Sequence, residues 1–585
     1  MNLLTDPVFR VETPDGQERL SLPQLLEALG LDRVESLPGL QRHQEDAFHI
    51  FLCYLAGAVL ARESQTDPRQ SSGFWLEGIR HLTKTHIPPV PNLPLGNVEP
   101  KISARSQAPA WERGTEDSGL ADEHKAELAI GGSQAGAWEP AQSDTLEPTN
   151  YDYPWTLVVD DVTLPAFMQA PMPKKADFGA FKPKADTPDA LDVLPTAKNH
   201  DVKSSKSGIP TAETWVYALI SLQTMAGFFG KGNYGIARMN GGFGSRCVVT
   251  INYAQKLGGC WQRDIVRLLA GREAILNAPW GYKADGWVML WLLPWDLNSS
   301  VALKSLDPFF IEISRAVRLV NRNDRIQALG APSNSPRINA TETGGILGDP
   351  WTPINLNDKK KGQSALTVSS NGLTPELLRN LLFEDGYKPA AMQLSDVGRE
   401  GQACQFTASV LVRGQGTTEG FHQAYLPIPG KAGNRLFRKG PDRDRLARLS
   451  NEALTDARAM QNSVLKTAVI ALLEGGPEQL NFDKREVTAW LTDAVKQFSE
   501  AWSFDYFPWL WNMAEQEDAD AARLEWLRSL RDKAKAVLDD AIARYPARSG
   551  RRYRSRVKAE GMFAGCLYKK FPELKETRHE SNRPD

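Results

Sequence analysis

Residues 227–246 combine seven glycines with the cations Lys231, Arg238 and Arg246, and they contain no acid. Glycine lets a backbone approach a ligand closely and adopt positive φ angles. Aromatic residues in the same stretch, such as Tyr234, supply flat surfaces. This combination favours binding of a polyanion over binding of a small apolar ligand. A glycine-rich turn between two strands is the alternative interpretation.

The chain lacks the motifs of nucleotide binding and of several catalytic classes. It contains no Gly-x-x-x-x-Gly-Lys-Ser/Thr phosphate loop, and Gly230-Lys231-Gly232 lacks the spacing of a dinucleotide fingerprint. The eight histidines form no His-x-x-x-His or His-Glu-x-x-His pair, and no Gly-x-Ser-x-Gly occurs. The five cysteines include no Cys-x-x-Cys pair, which argues against structural zinc and fits a reducing cytoplasm. We therefore expect no catalytic residue, no cofactor and no bound metal.

A second cationic segment lies near the end of the chain. Seven cations and no acid occur from Arg544 to Lys558, with Tyr545 and Tyr553 interleaved. The net charge of the whole chain is only −2, so a nucleic-acid site has to be a local patch. Because the planar fork of arginine fits phosphate, this run favours phosphate contacts. A solvated helix face is the alternative. The arginines that we expect to contact phosphate in these two segments are Arg238, Arg246, Arg551, Arg552, Arg554 and Arg556.

The patterns around these segments predict an α+β fold with a large mixed N-terminal domain and a C-terminal antiparallel four-helix bundle. Residues 1–435 mix helix and strand patterns without a βαβ repeat, and the alternation from Phe309 to Val320 predicts one strand. From Arg443 onward, apolar residues recur at a spacing of three to four in successive segments, which predicts a bundle at 440–585.

Two stretches interrupt the mixed domain. The composition of residues from about 98 to 150 and of residues 171–210 predicts long irregular loops. No apolar run reaches the ~18 residues of a membrane span, and the first residues have no basic leader region. We therefore expect a cytoplasmic protein without membrane contact.

Four features in order along the chain resemble the CasA family, the large subunits of type I-E Cascade CRISPR surveillance complexes. Met1 to Pro7 is similar to the family's N-terminus, and Ala166-Phe167-Met168-Gln169-Ala170-Pro171 to the loop that reads the protospacer-adjacent motif. Gly227 to Gly232 is similar to the family's glycine loop, and the C-terminal four-helix bundle is also a family feature.

The resemblance implies which residues touch DNA. Gln169 would contact a base edge, with Phe167 in the same loop, and Gly230, Lys231 and Gly232 would enter the minor groove. A groove lysine of the family falls near Arg337, which we take as a further phosphate contact. The family's duplex wedge corresponds to the hairpin that contains Gln415, Thr417 and Thr418.

The resemblance also implies a function and a set of partners. The chain would be a non-catalytic subunit that recognises the motif in double-stranded target DNA, starts unwinding and R-loop formation, and helps to recruit the helicase-nuclease in antiviral defence. Its partners would be the other Cascade subunits and the crRNA, whose base pairing reads most of the target. Two alternatives stay open: a stand-alone metal- or nucleotide-dependent nuclease, and a structural scaffold without DNA contact.

Overall fold

The computed structural model describes most of the chain. The described residues are 1–86, 151–192, 210–228, 230–240, 246–253, 256–414, 417–474, 485–515 and 518–575. The predicted loop at 98–150 lies outside them. None of the described helices is both long enough and apolar enough to cross a membrane.

The first hydrophobic core surrounds one helix, α2, which is apolar on almost every side. Its residues from Ile50 to Leu60 are all buried, so neighbouring elements cover it from several directions. The helices of this half are α1 (Leu22–Gly30), α2 (Arg42–Arg62), α3 (Ser72–Lys84), α4 (Pro188–Leu191), α5 (Ala212–Met225) and α6 (Leu257–Leu276). Helices α3, α5 and α6 pack directly against α2.

Small sheets, rather than one large sheet, complete the α+β architecture that the sequence predicts. Among the described residues, strands β1 and β2 form a hairpin, β5 and β6 pair in parallel, and three further sheets have three strands each, in the orders β3-β8-β7, β10-β9-β11 and β13-β12-β4. The strands are β1 (Phe9–Thr13), β2 (Gly16–Leu20), β3 (Lys182–Ala185), β4 (Val248–Asn252), β5 (Trp287–Met289), β6 (Leu306–Ile311), β7 (Ala316–Arg322), β8 (Arg325–Ala331), β9 (Ile354–Asp358), β10 (Gly362–Ala365), β11 (Tyr387–Lys388), β12 (Cys404–Gly414) and β13 (Thr417–Ile428).

The prediction of a single strand from Phe309 to Val320 is wrong. The chain leaves β6 after Ile311 and re-enters a different sheet as β7. The residues between the two strands bind other segments: Glu312 pairs with Arg238, and the backbone N–H groups of Ser314 and Arg315 donate to the Gln223 side chain. These polar contacts separate the two strands, although the alternation of apolar and polar residues continues across them in the sequence.

The predicted C-terminal bundle is confirmed. Its first helix runs without a break from α9 (Pro441–Ala459) through a π-helical turn at Met460–Leu465 into α10 (Lys466–Glu474), as the continuous apolar spacing indicates. The helices of this half are α7 (Pro375–Phe383), α8 (Gly430–Phe437), α9 (Pro441–Ala459), α10 (Lys466–Glu474), α11 (Arg485–Glu515), α12 (Ala519–Arg544) and α13 (Ser549–Lys570). Helix α10 packs on both α11 and α13, and α11 packs on α12.

The second hydrophobic core is not limited to the bundle. It also contains Ile251 of β4, Phe406 of β12 and Leu381 of α7. The expected domain division near residues 435–440 stays a prediction. Within the predicted loop at 171–210, the described residues 171–192 carry strand β3 and helix α4, so this part of the segment is structured.

Candidate nucleic-acid interface

The glycine segment folds as a tight turn with a cation at its tip. The Asn233 N–H donates to the Gly230 carbonyl at 2.9 Å, and Gly232, with φ of 86°, occupies the position where a type II turn requires glycine. Gly230 also has positive φ, and among the described residues no atom beyond its two chain neighbours lies within 4 Å of the place where its Cβ would be. Lys231 is exposed. Phe229 and residues 241–245 lie outside the described residues.

Strand β8 connects this turn to two further lysines. The Ser333 N–H, just after β8, donates to the Gly232 carbonyl at 3.0 Å, and Lys182 of β3 lies opposite Gly330 near the same end of β8. Lys184 packs its stem beside Gly330. Both lysines are exposed. We call Lys182, Lys184, Gly230, Lys231 and Gly232 the glycine-turn face.

Sequence reasoning missed Lys182 and Lys184 because it assigned them to an irregular loop. The available signal was only their spacing of two residues, and a register shift between Pro183 and Ala185 interrupts the alternation of β3. A lysine-rich strand at a sheet edge is otherwise a common protection against aggregation.

Gln169 does not present its side chain to solvent. It is fully buried, and its Nε2 donates to the carbonyls of Leu157 at 2.8 Å and of Phe167 at 3.0 Å. Its Oε1 accepts from the Leu319 N–H at 2.6 Å. The expected contact between this amide and a base edge is therefore wrong for this conformation, because the amide satisfies buried backbone groups.

Phe167 is likewise a core residue. Its ring lies 5.8 Å from the rings of Phe51, Trp155 and Trp291, measured between centroids, and none of its surface is exposed. The next residue, Met168, has a φ of 57°, and its carbonyl accepts from the Gln223 Nε2 at 2.9 Å. The loop thus has a fixed shape that its buried side chains impose, and the expected exposure of Phe167 to a ligand is not observed.

Arg238 and Arg246 are not available to phosphate. Arg238 is 2% exposed, pairs with Glu312 at 3.2 Å and lies over the Phe310 ring. Arg246, also 2% exposed, makes a two-pronged ion pair with Asp349, and the Arg246 Nε–Asp349 Oδ2 distance is 2.6 Å. The expected phosphate contacts are wrong because buried carboxylates already neutralise both guanidinium groups.

Arg337 is buried without an acidic partner within ion-pair distance among the described residues. Its Nη2 donates to the Leu293 carbonyl at 2.8 Å, and the guanidinium lies 5.1 Å from the Trp295 ring centroid. Burial lowers the pKa of Arg337 to about 10. The expectation that Arg337 contacts phosphate is also wrong, because its donors hold the turn that follows β5.

The predicted wedge falls at the tip of the longest hairpin. Gln415 lies outside the described residues. The backbone register of β12 and β13 pairs Arg413 with Thr418 and Gly414 with Thr417, so both threonines lie at the end of the hairpin. Their role in opening a duplex stays a prediction.

The arginine run forms an exposed surface at the start of α13. Arg551, Arg554 and Lys558 follow each other at helical spacing, and all three side chains are exposed. Among the described residues, no carboxylate pairs with Arg551 or Arg554, whereas Arg556 pairs with Glu560 at 3.0 Å and Arg552 donates to the Ala543 carbonyl. We call Arg551, Arg552, Arg554, Arg556 and Lys558 the arginine face.

Two further features of the arginine face concern the start of α13 and an exposed ring. The first turn of α13 contains no acid, and its N-cap, Arg548, makes no capping hydrogen bond. Cations at a helix N-terminus oppose the helix dipole, and they also repel one another. An exposed aromatic ring, Tyr553, which is 69% exposed, lies between the cations. Arginine with an accessible aromatic ring is a common arrangement for binding single-stranded nucleic acid.

Solved structures match the chain over almost its entire length. The CasA crystal structure from Thermus thermophilus aligns with a TM-score of 0.54 at 14% identity, covering 97% of this chain and 99% of that one. The CRISPR-associated protein Cse1 from Acidimicrobium ferrooxidans aligns with a TM-score of 0.56 at 13% identity, covering 98% of each chain. The chain has the CasA/Cse1 fold.

A third structure agrees with this assignment. Cse1 from Thermobifida fusca aligns with a TM-score of 0.55 at 13% identity, again covering 98% of both chains. No protein-family model matches the chain, and no curated protein sequence matches it. The similarity to CasA/Cse1 therefore lies in the fold, and it includes both the first core and the helical bundle.

Proposed function

We propose that the chain is the large, non-catalytic subunit of a type I-E Cascade complex. In this role it recognises the protospacer-adjacent motif of double-stranded DNA, starts unwinding and helps to recruit the helicase-nuclease. The observation that carries the proposal is the fold match, which covers at least 97% of this chain and 98% of each CasA/Cse1 structure. Its partners are then the other Cascade subunits, the crRNA and the target duplex.

The glycine-turn face supports a minor-groove contact. The minor groove is only ~6 Å wide, so a protein backbone enters it most easily where no side chain adds bulk. Gly230 provides such a backbone with open space beside it, whereas Gly232 is buried against Pro332 and shapes the turn. Lys231 at the tip, with Lys182 and Lys184 beside it, supplies charge for the flanking phosphates.

Phe167 and Gln169 act in this proposal as positioning residues. Their side chains fix the loop from Ala166 to Pro171 from inside the core, so the outer surface of that loop keeps one shape when it meets DNA or the crRNA. Direct contact by the Gln169 amide would first require breaking three buried hydrogen bonds.

The arginine face supports a contact with the strand that unwinding displaces. Its cations are exposed, and Tyr553 offers a stacking surface. Base stacking on an aromatic ring contributes about 1–3 kcal/mol per base without sequence preference. A displaced strand of any sequence could therefore bind there.

The test is binding of target duplex by the assembled complex with Lys231→Glu in this chain. We expect loss of duplex binding in a gel-shift assay while the subunits still assemble, because a carboxylate replaces the cation at the turn's tip. Gly230→Asp should have the same effect. Lys359→Glu, in the exposed turn between β9 and β10, is the matched charge-reversal control and should bind like the unmodified chain.

Three results would contradict the proposal. Unchanged binding of target duplex by both Lys231→Glu and Gly230→Asp would contradict the assignment of a DNA contact to the glycine-turn face. Absence of salt-dependent DNA binding would favour a structural scaffold without DNA contact. Metal-dependent cleavage of DNA by the purified chain would favour a nuclease.

A further inference from the structure

Two facing helices of the first core bring a histidine, a thiol and a carboxylate together. His49 and Cys53 are four residues apart on α2, so they share one helix face. Asp264 lies on α6, which packs against α2. The His49 Nε2 lies 2.9 Å from the Asp264 Oδ2 and 3.5 Å from the Cys53 Sγ. One ligand atom of each residue lies within 4.8 Å of the others.

One of these separations equals that around a tetrahedral zinc ion, and a second is about 0.5 Å shorter. Zinc bonds of about 2.0–2.1 Å to nitrogen and oxygen and about 2.3 Å to sulfur give N···S edges of ~3.6 Å and N···O edges of ~3.4 Å. The N···S distance of 3.5 Å already has the required length. The N···O distance of 2.9 Å would open by about 0.5 Å, a change within reach of side-chain rotation.

The geometry does not fit a Cys-His-Asp catalytic relay. Such a relay uses both ring nitrogens, one facing the nucleophile and the other facing the acid. Here the thiol and the carboxylate approach the same nitrogen, Nε2. A single nitrogen that faces two other donors is the arrangement of ligands around a shared ion.

Groups outside the cluster hold Asp264 in place, as outer-shell partners do in metal sites. The Trp351 indole N–H donates to Asp264 Oδ2 at 3.3 Å, and Arg263 pairs with Asp264 Oδ1 at 2.8 Å. Cys53 and Asp264 are buried, whereas 27% of the His49 side chain is exposed.

We propose that His49, Cys53 and Asp264 bind a zinc ion that joins α2 to α6. The donor set of one imidazole, one thiolate and one carboxylate suits zinc, which takes nitrogen, sulfur and oxygen ligands in tetrahedral geometry. The proposal departs from the expectation of no bound metal, which rests on the absence of paired cysteines and paired histidines. The available signal was the His-x-x-x-Cys spacing on α2.

The test measures metal binding by the full-length chain, expressed with added zinc and freed of loosely bound metal by gel filtration. We expect one zinc ion per chain by mass spectrometry, and a thiolate-to-metal absorption band after exchange with Co²⁺. Cys53→Ser should weaken zinc binding more than ~100-fold, since loss of an outer-shell partner alone costs 10–100-fold. Cys566→Ser, in a half-buried thiol of α13, is the matched control and should keep the metal.

Zinc well below one equivalent in the unmodified chain would overturn the proposal. Full zinc content in Cys53→Ser, or a Co²⁺ complex without the thiolate band, would do the same. Because Cys53 is buried, circular dichroism must show that Cys53→Ser is folded, and Asp264→Asn provides a second ligand variant. The Co²⁺ spectrum of the unmodified chain needs no variant. All of these readouts are independent of DNA binding.

Discussion

Replacement of Gln169 by leucine tests whether this residue supports the fold or reads a base. Leucine has a similar size, but it cannot donate to the carbonyls of Leu157 and Phe167 or accept from the Leu319 N–H. Three buried backbone groups then lose their partner. Each unsatisfied group costs about 1–3 kcal/mol, and because the three groups share one side chain, we expect a total of about 3–5 kcal/mol.

The measurement is urea unfolding of the isolated chain, followed by tryptophan fluorescence. Trp155 and Trp291 lie 5.8 Å from the Phe167 ring, so fluorescence includes signals beside the substituted loop. We expect a clear shift of the first-core transition to lower urea. Gln65→Leu, at an exposed position, is the control and should leave the midpoint unchanged within ~0.5 kcal/mol.

One result would refute the structural role. If Gln169→Leu unfolds like the unmodified chain but the assembled complex no longer distinguishes target motifs, the amide must leave the core and contact a base. A loss of both stability and motif recognition would instead support positioning of the loop from inside.

Three further predictions test other residues. Arg246→Met leaves Asp349 buried and unpaired, so unfolding free energy in urea should fall by about 3–5 kcal/mol; no change would contradict the buried ion pair. The double variant Arg551→Ala and Arg554→Ala should unfold normally but reduce the salt slope of single-stranded DNA binding by about 1.4; an unchanged slope would contradict phosphate contact there. Burial lowers the pKa of His86 to about 4, below the ~6.5 of a histidine in the unfolded chain. Between these two pH values the unfolded state binds more protons than the folded state. The free energy of unfolding should therefore fall by about 1–2 kcal/mol as pH drops from 6.5 to 4. His86→Phe should remove this part of the pH dependence, measured by urea unfolding at both pH values.

Elements whose pattern depends on nearby residues could be predicted from the sequence. The apolar spacing from Leu446 to Leu472 predicted the first bundle helix, although not the π-helical turn within it. The positive φ of Gly230 and Gly232 agrees with the expected special backbone of the glycine segment. Both features follow from interactions within a few positions of the chain.

The exposure of polar side chains could not be predicted in the same way. Arg246 can be buried because Asp349, 103 positions later, neutralises its charge. Gln169 can be buried because the backbone N–H of Leu319, 150 positions later, donates to its side chain. A sequence pattern shows that a residue is cationic or polar, but not which distant segment covers it. The arginines of α13 remained exposed because no such segment covers them in the described part of the chain.

The placement of β4 has a consequence for how the molecule can be divided. This strand precedes the bundle by almost 200 positions in sequence, yet Val249 and Ile251 belong to the bundle's core. A cut at residue 437 would therefore leave an apolar sheet surface on one fragment and its helical cover on the other. The two fragments share one hydrophobic core, so expression of the bundle alone would need polar replacements for the apolar residues that β4 and β12 cover. Exchange of the bundle between relatives would need β4, β12 and β13 to move with it.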